Sequence, residues 1–282
     1  MVAKTKFTKT VLLAFTALVP MFAPSQDQHA TGNAAAKPDL PSQVLSAKIA
    51  RPQPFYQFPA NQEFHYSVEW RLFNAGTTTV RLDNVNGERH VITSADSIGA
   101  VALLYHVHDE FETFFNPQTN CSLSLTKHTE EGFRRVETKV RYDYATGKSI
   151  LDENNLRAKS QKHQEDDIPS CVGDMISAVY YVASQTLEPG ASLTFPINDG
   201  GKTAAIQAQV EARETLKLPS GTYKTIRVSA EALNGPQKGK GKLWVWYSDD
   251  DRRLPVQVRT RAFWGTLLFR LVSINSTPPA KK

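Results

Sequence analysis

Apolar and polar side chains swap places in segment after segment of this chain, from Phe64 almost to Ile274. In the first such segment Phe64, Tyr66, Val68, Trp70 and Leu72 alternate with His65, Ser67, Glu69 and Arg71. Successive side chains of a strand point to opposite faces, so a period of two describes half-buried antiparallel strands. The pattern predicts an all-β chain: a curved antiparallel sheet of about a dozen strands, closed or nearly closed into a barrel, with one amphipathic helix packed on it.

Strands are expected at 63–73, 77–83, 90–98, 101–115, 122–129 and 133–142. A second group is expected at 192–197, 203–216, 223–232, 240–247, 254–261 and 266–274. Turn signals separate them, among them Asn74-Ala75-Gly76, Asn86-Gly87, Asn116-Pro117, Asn198-Asp199-Gly200-Gly201 and Pro219-Ser220-Gly221. Helical spacing occurs once: Val172, Met175, Ile176, Val179 and Ala183 recur at three and four residues, with Ser170 as the expected N-cap and Pro189-Gly190 beyond the stop. Two late strands are apolar on both faces. Leu243, Val245 and Tyr247 oppose Trp244 and Trp246, and Leu267, Phe269 and Leu271 oppose Leu268, Val272 and Ile274. A strand of that kind is covered on both sides, here by the main core and by the helix or a partner.

The ends of the chain read differently. Lys4, Lys6 and Lys9 precede a short apolar run, Val11 to Val19, and small residues follow at Ala23-Pro24-Ser25. This is the layout of a secretory signal peptide over 1–25, too short to cross a bilayer. No Cys follows it to carry a lipid, so the mature chain is expected to be periplasmic or secreted, without a transmembrane segment. Residues 26–60, rich in Ala, Pro and Gln, read as a disordered leader, 61–276 as a single β-rich domain and 277–282 as a disordered tail.

Charge excludes one class of partner. The chain has 33 Lys plus Arg against 28 Asp plus Glu; without the three signal Lys the balance is 30 against 28, a net of +2. A near-neutral domain with no basic stripe is not built for nucleic acid. The two cysteines, Cys121 and Cys171, are expected to pair in an oxidising compartment.

Catalytic motifs are scarce. The chain has no Gly-x-Ser-x-Gly elbow, no His-Glu-x-x-His and no phosphate-cradling Gly loop, and no cofactor is expected. His106, His108, Glu110 and Glu112 alternate on one expected strand; the first three are weak metal candidates, the alternative being a solvated outer face. Asp249-Asp250-Asp251-Arg252-Arg253 reads as a charged turn pairing locally, and Trp244, Trp246 and Trp264 as structural rather than sugar-stacking. Asp109 stands apart because it falls on the apolar register between Val107 and Phe111, where a carboxyl must be partnered or protonated. It marks a site, caps a turn, or pairs with an Arg such as Arg253.

A family resemblance rests on ordered pieces: Phe73-Asn74-Ala75-Gly76, Leu104-Tyr105-His106-Val107-His108-Asp109 and Phe115-Asn116-Pro117. A helix with Asp174, Ser177, Tyr180 and Tyr181 follows, then Gly221-Thr222-Tyr223-Lys224-Thr225, Trp246 and Asp251-Arg252-Arg253-Leu254-Pro255-Val256. Over about 61–274 the chain resembles DUF3108, a bacterial envelope family of unknown function. The resemblance implies a secreted or periplasmic β-rich domain and carries no activity.

The functional expectation is a non-enzymatic exported envelope protein that binds an apolar, lipid-like ligand or a protein partner. The expected binding residues are Trp70, Tyr105, Asp109, Met175, Ile176, Val179, Trp244 and Trp246, with an apolar cavity beside Met175, Ile176 and Val179. A hydrolase or metal-dependent enzyme acting on envelope polymers, and a pure interaction scaffold, are the two alternatives.

Overall fold

The computed structural model describes residues 41–71, 73–235, 238–262 and 265–278. The expected signal peptide, most of the leader before 41, Leu72, Trp264 and the last residues of the tail lie outside these. Fourteen strands form one antiparallel sheet. They are β1 Gln62–Trp70, β2 Phe73–Val85, β3 Glu88–Ser97, β4 Val107–Phe115, β5 Ser122–Glu131, β6 Arg134–Asp143, β7 Lys148–Asn155 and β8 Ser160–Asp167, followed by β9 Ser192–Ile197, β10 Ala204–Leu218, β11 Gly221–Ala232, β12 Gly241–Ser248, β13 Pro255–Ala262 and β14 Gly265–Ser276. Three short helices accompany them: α1 Ser42–Ser46, α2 Gly99–Leu104 and α3 Ser177–Ala183. The order β8 to β1, then β14 down to β9, makes two meanders joined where β1 pairs with β14. The all-β barrel-like class is correct, but hydrogen bonds do not close the sheet: β8 and β9 are its edges.

The alternating pattern located the strands it could reach. Phe64, Tyr66 and Val68 are buried, and Leu271 and Phe269 on β14, the cross-strand partners of Tyr66 and Val68, are buried with them. Two strands, β7 and β8, were not expected. β8 reads SQKHQEDD and is polar on both faces, so it gives no periodic signal. The expected strand 101–115 is two elements. Alternation fails over Val101–Leu104, where alanines and leucines favour a helical turn, and β4 begins at Val107.

The helix is shorter than its apolar spacing suggested, and Ser170 does not cap it. Asp174 does so instead: its Oδ1 accepts the backbone N–H groups of Ile176 and Ser177, both at 2.8 Å. The segment before it is extended, with Gly173 bridged to Ile197 of β9. α3 is buried along its length except for half-buried Val179. It is a core element rather than a cover over an opening. Its Tyr180 ring packs edge-on to Phe58 and stacks with Phe115, while Tyr181, Val182 and Ala183 join β9–β12 in a second cluster.

β12 is covered on both sides as expected, by the main core on one face and by α3 on the other. Val245 and Tyr247 meet the α3 side, where the Tyr247 hydroxyl donates to the Val179 carbonyl. On the opposite face Trp244 and Trp246 belong to the main core cluster. The Arg259 guanidinium lies 4.4 Å from the Trp244 ring and 5.5 Å from that of Trp246, and Trp246 Nε1 donates to Glu214.

Residues 41–60 correct the expectation of disorder through Ala60. Val44 and Ala47 pack against Ala205, and backbone bonds run from Lys48 to Thr194 and from Gln53 to Ser184. Tyr56 and Phe58 cover the buried guanidinium of Arg89, at 5.3 and 4.8 Å. Aromatic faces and several backbone bonds compensate the ordering of this strap.

Candidate functional site

Asp109 lies on β4 with Val107 and Phe111, its carboxyl 2% exposed, on the inward register that the alternation assigned to it. It does not pair with Arg253, which binds Asp249 at 2.8 Å inside the charged turn. Its Oδ1 accepts the backbone N–H of Glu130 at 3.0 Å. The neighbouring residue, Glu131, ends β5 opposite Val107 and is 1% exposed. Arg134 Nη1 lies 3.5 Å from its Oε2, yet neither carboxyl oxygen has a hydrogen-bond partner among the described residues. Burial, and then the charge of Glu131, push Asp109 up to about 8; burial also raises Glu131, with Arg134 opposing.

Around this pair the walls are apolar. Ala75 and Val107 form a small cluster with Trp70, Val101 and Tyr105. Tyr105 is close enough to both carboxyls that their charge adds to burial in raising its phenol to about 12. Its ring lies over Gly132 at φ 55°, where a Cβ would sit 2.6 Å from Tyr105 Cε2, so only glycine lets the turn and the ring meet. Trp70 presents a buried Nε1 that has no partner among the described residues, and a Cβ on Gly265 would lie 3.0 Å from it. An unfilled donor and an unfilled carboxylate therefore occur at the same end of the sheet, which is unusual for buried groups.

The other expected site residues lie elsewhere. Met175, Ile176 and Val179 pack into the core around α3, and Trp244 and Trp246 lie under Arg259 on β12. Ile176, Trp244 and Trp246 thus share the main core cluster, with Met175, Val179 and Trp70 packed against it, while Trp70 and Tyr105 also meet at Val107, beside Asp109. His106 precedes β4 and does not share its face. His108 Nδ1 is 2.7 Å from Asp96 Oδ1, and Glu110 is exposed. Among the described residues no group of three His, Cys, Asp or Glu is placed to hold a metal ion.

A second polar cluster is structural. Asp174 Oδ2 accepts the hydroxyls of Thr113 and Ser122, and its N–H meets the Ser122 and Ser177 hydroxyl oxygens. Beside it Lys127 Nζ donates to the Asp199 carbonyl at 2.9 Å, and Asp199 Oδ1 accepts from Met175 N. Burial raises Asp199 to about 6, opposed by Lys127, and lowers Lys127. Cys121 and Cys171 are bonded as expected, with Cα atoms 5.2 Å apart, fixing Ser122 near Asp174. Glu131, Lys127 and Asp199 escaped the sequence reading.

The raised carboxyls set the sign of the pH dependence. A carboxyl with a folded value above its unfolded one holds its proton more tightly in the folded chain, so its ionisation opposes folding. Asp109, Glu131 and Asp199 make stability greatest in mild acid and lower it as pH rises from about 4 toward about 8. Urea midpoints should fall between about pH 5 and about pH 8, and Asp109→Asn should flatten that decline. A midpoint that rises over this interval, or an unchanged slope in Asp109→Asn, would contradict the assignment.

Comparison with known proteins agrees with this architecture. A structure similar in fold is the β-barrel-like protein of the domain of unknown function DUF1849 from Brucella abortus. It has a TM-score of 0.57 at 8% identity, over 78% of this chain and 99% of that one. Two further structures are similar at lower scores. A protein described as exported, with a YmcC-like fold, from Bacteroides fragilis gives a TM-score of 0.35 at 10% identity over 78% and 98% of the chains. One described as a lipoprotein from Parabacteroides distasonis gives 0.31 at 8% identity over 82% and 100%. No curated protein matches by sequence. The class is thus a barrel-like β-sheet protein. Within it, residues 65–272 match the model of DUF3108, a protein family of unknown function, and the chain belongs to that family.

Proposed function

We propose that this protein is a non-catalytic, exported scaffold of the cell envelope that binds an amphipathic ligand at the end of the sheet formed by Trp70, Tyr105, Asp109 and Glu131. The observation that carries the reading is Glu131: its two carboxyl oxygens are buried and, with the Arg134 guanidinium no nearer than 3.5 Å, have no hydrogen-bond donor among the described residues. A bound group carrying N–H donors on an apolar chain satisfies those oxygens while burying its own chain against Val101, Tyr105 and Val107. The signal-like N-terminus and the disulfide support export. A hydrolytic reading would use the same two carboxyls as acid and base. The Glu131 oxygens left without a donor among the described residues favour binding.

Dodecylamine is the simplest probe. At a hundredfold excess over Kd, a ligand of the folded state adds about 2.7 kcal/mol, a rise in melting temperature of roughly 5–10 °C for a domain of this size. Dodecanoate, which brings a like charge to the carboxyls, should give no rise. Equal shifts from both amphiphiles, or none from either, would contradict the reading.

A further inference from the structure

Of the seven large exposed apolar side chains among the described residues, Leu45 on α1 and Val272 on β14 stand apart and five gather at one end of the sheet. Phe73 is 67% exposed, Leu103 89%, Leu104 70% and Phe133 73%, and Leu156 is also exposed. Phe73 opens β2 just after the β1–β2 turn, Leu103 and Leu104 end α2 between β3 and β4, and Phe133 and Leu156 lie in the β5–β6 and β7–β8 turns. In an antiparallel meander alternate connections fall at the same end, so all five project from one rim of the β1–β8 half. The rim is continuous. Trp70 and Tyr105 share a cluster, the Tyr105 ring covers Gly132, and Arg157 stacks on Phe133 at 4.6 Å.

Charge divides the same way. Along the rim segments 71–73, 98–106, 130–135 and 156–159 stand Arg71, Arg134, Arg135, Arg157 and Lys159. The acids there are Glu130 and Glu131, within ion-pair distance of Arg135 and Arg134 respectively. Five cations against two carboxylates leave +3. The opposite connections, 85–88, 116–121, 143–148 and 165–169, carry Glu88, Asp143, Glu165, Asp166 and Asp167 against Lys148, which is −4. Apolar tips among arginines suit an interface whose surface is anionic and whose interior is hydrocarbon. A protein partner of ordinary composition would not call for both features along one rim.

From these features we infer that the rim of Phe73, Leu103, Leu104, Phe133 and Leu156 docks on an anionic phospholipid bilayer. The acidic end then points away from the membrane, and the Asp109–Glu131 end faces it. The inference rests on exposure and charge at the rim and does not need the carboxyl pair to bind anything.

Cosedimentation with vesicles tests it. The protein should bind vesicles of equal phosphatidylglycerol and phosphatidylethanolamine at least about tenfold better than phosphatidylcholine vesicles, with binding weakened in high salt. The double variant Leu103→Asp/Leu104→Asp changes two exposed side chains, so it should keep the wild-type melting temperature and dodecylamine response while losing about tenfold or more in vesicle affinity. Full vesicle binding by that variant would overturn the inference. So would a wild type that ignores anionic vesicles, or one that forms a dimer through this rim and leaves the vesicles unbound. Failure of dodecylamine to bind would count against the ligand reading alone.

Discussion

Replacing Asp174 by alanine should destabilise the fold by about 3–5 kcal/mol, among the largest effects of any single substitution. The carboxylate is buried and does four things at once: it receives the N–H groups of Ile176 and Ser177 through Oδ1 and the hydroxyls of Thr113 and Ser122 through Oδ2. Alanine leaves two helix-end donors without partners and removes the shared acceptor of two strand hydroxyls, which retain only the Ser124 carbonyl for Thr113 and the Ser177 hydroxyl for Ser122. Asp174→Asn keeps an acceptor for the helix end and loses acceptance of the hydroxyls, so it should fall between wild type and Asp174→Ala. Urea unfolding at neutral pH checks the series. A loss below about 1 kcal/mol for Asp174→Ala would mean that the cluster does not join α3 to β4 and β5.

The second large effect concerns the disulfide. Cys121 and Cys171 are separated by 50 residues in sequence, and a loop of that length corresponds to about 4 kcal/mol in the chain-entropy model. Cys121→Ser/Cys171→Ser should therefore lower the melting temperature by roughly 8–16 °C. The bond also holds Ser122 beside Asp174, so the serine pair and Asp174→Ala should not be additive; the combined loss should be smaller than the sum. Strict additivity would show that the two act independently, and an unchanged melting temperature on reduction would show that the bond adds no stability.

How much of this was legible in the sequence depended on whether burial was written into a local period. Phe64, Tyr66 and Val68 announce their strand because every second residue is large and apolar, and Cys121 with Cys171 announce a bond through compartment and count. β8 announces nothing, since an edge strand that packs on neither face has no reason to alternate. Asp109 was legible as an anomaly, one carboxyl on an otherwise apolar register. Glu131 was not, because it sits beside Glu130 and a glycine turn and reads as surface; the pairing of β4 with β5 turns it inward. Lys127 and Asp199 lie far apart in the chain, and nothing near either marks the other. The sheet could be read from short-range pattern, whereas the polar interior depends on long-range register.

Titration calorimetry of dodecylamine into wild type and into Asp109→Asn/Glu131→Gln tests whether the Asp109–Glu131 pair holds an amphiphile. Both replacements are close in volume to the originals and remove buried ionisable groups, so the folded state should persist. Saturable binding to the wild type at one site is expected, weakened about tenfold or more in the double variant through loss of charge-assisted hydrogen bonds. Equal affinity for the two proteins would contradict it and place any amphiphile away from the Asp109–Glu131 end.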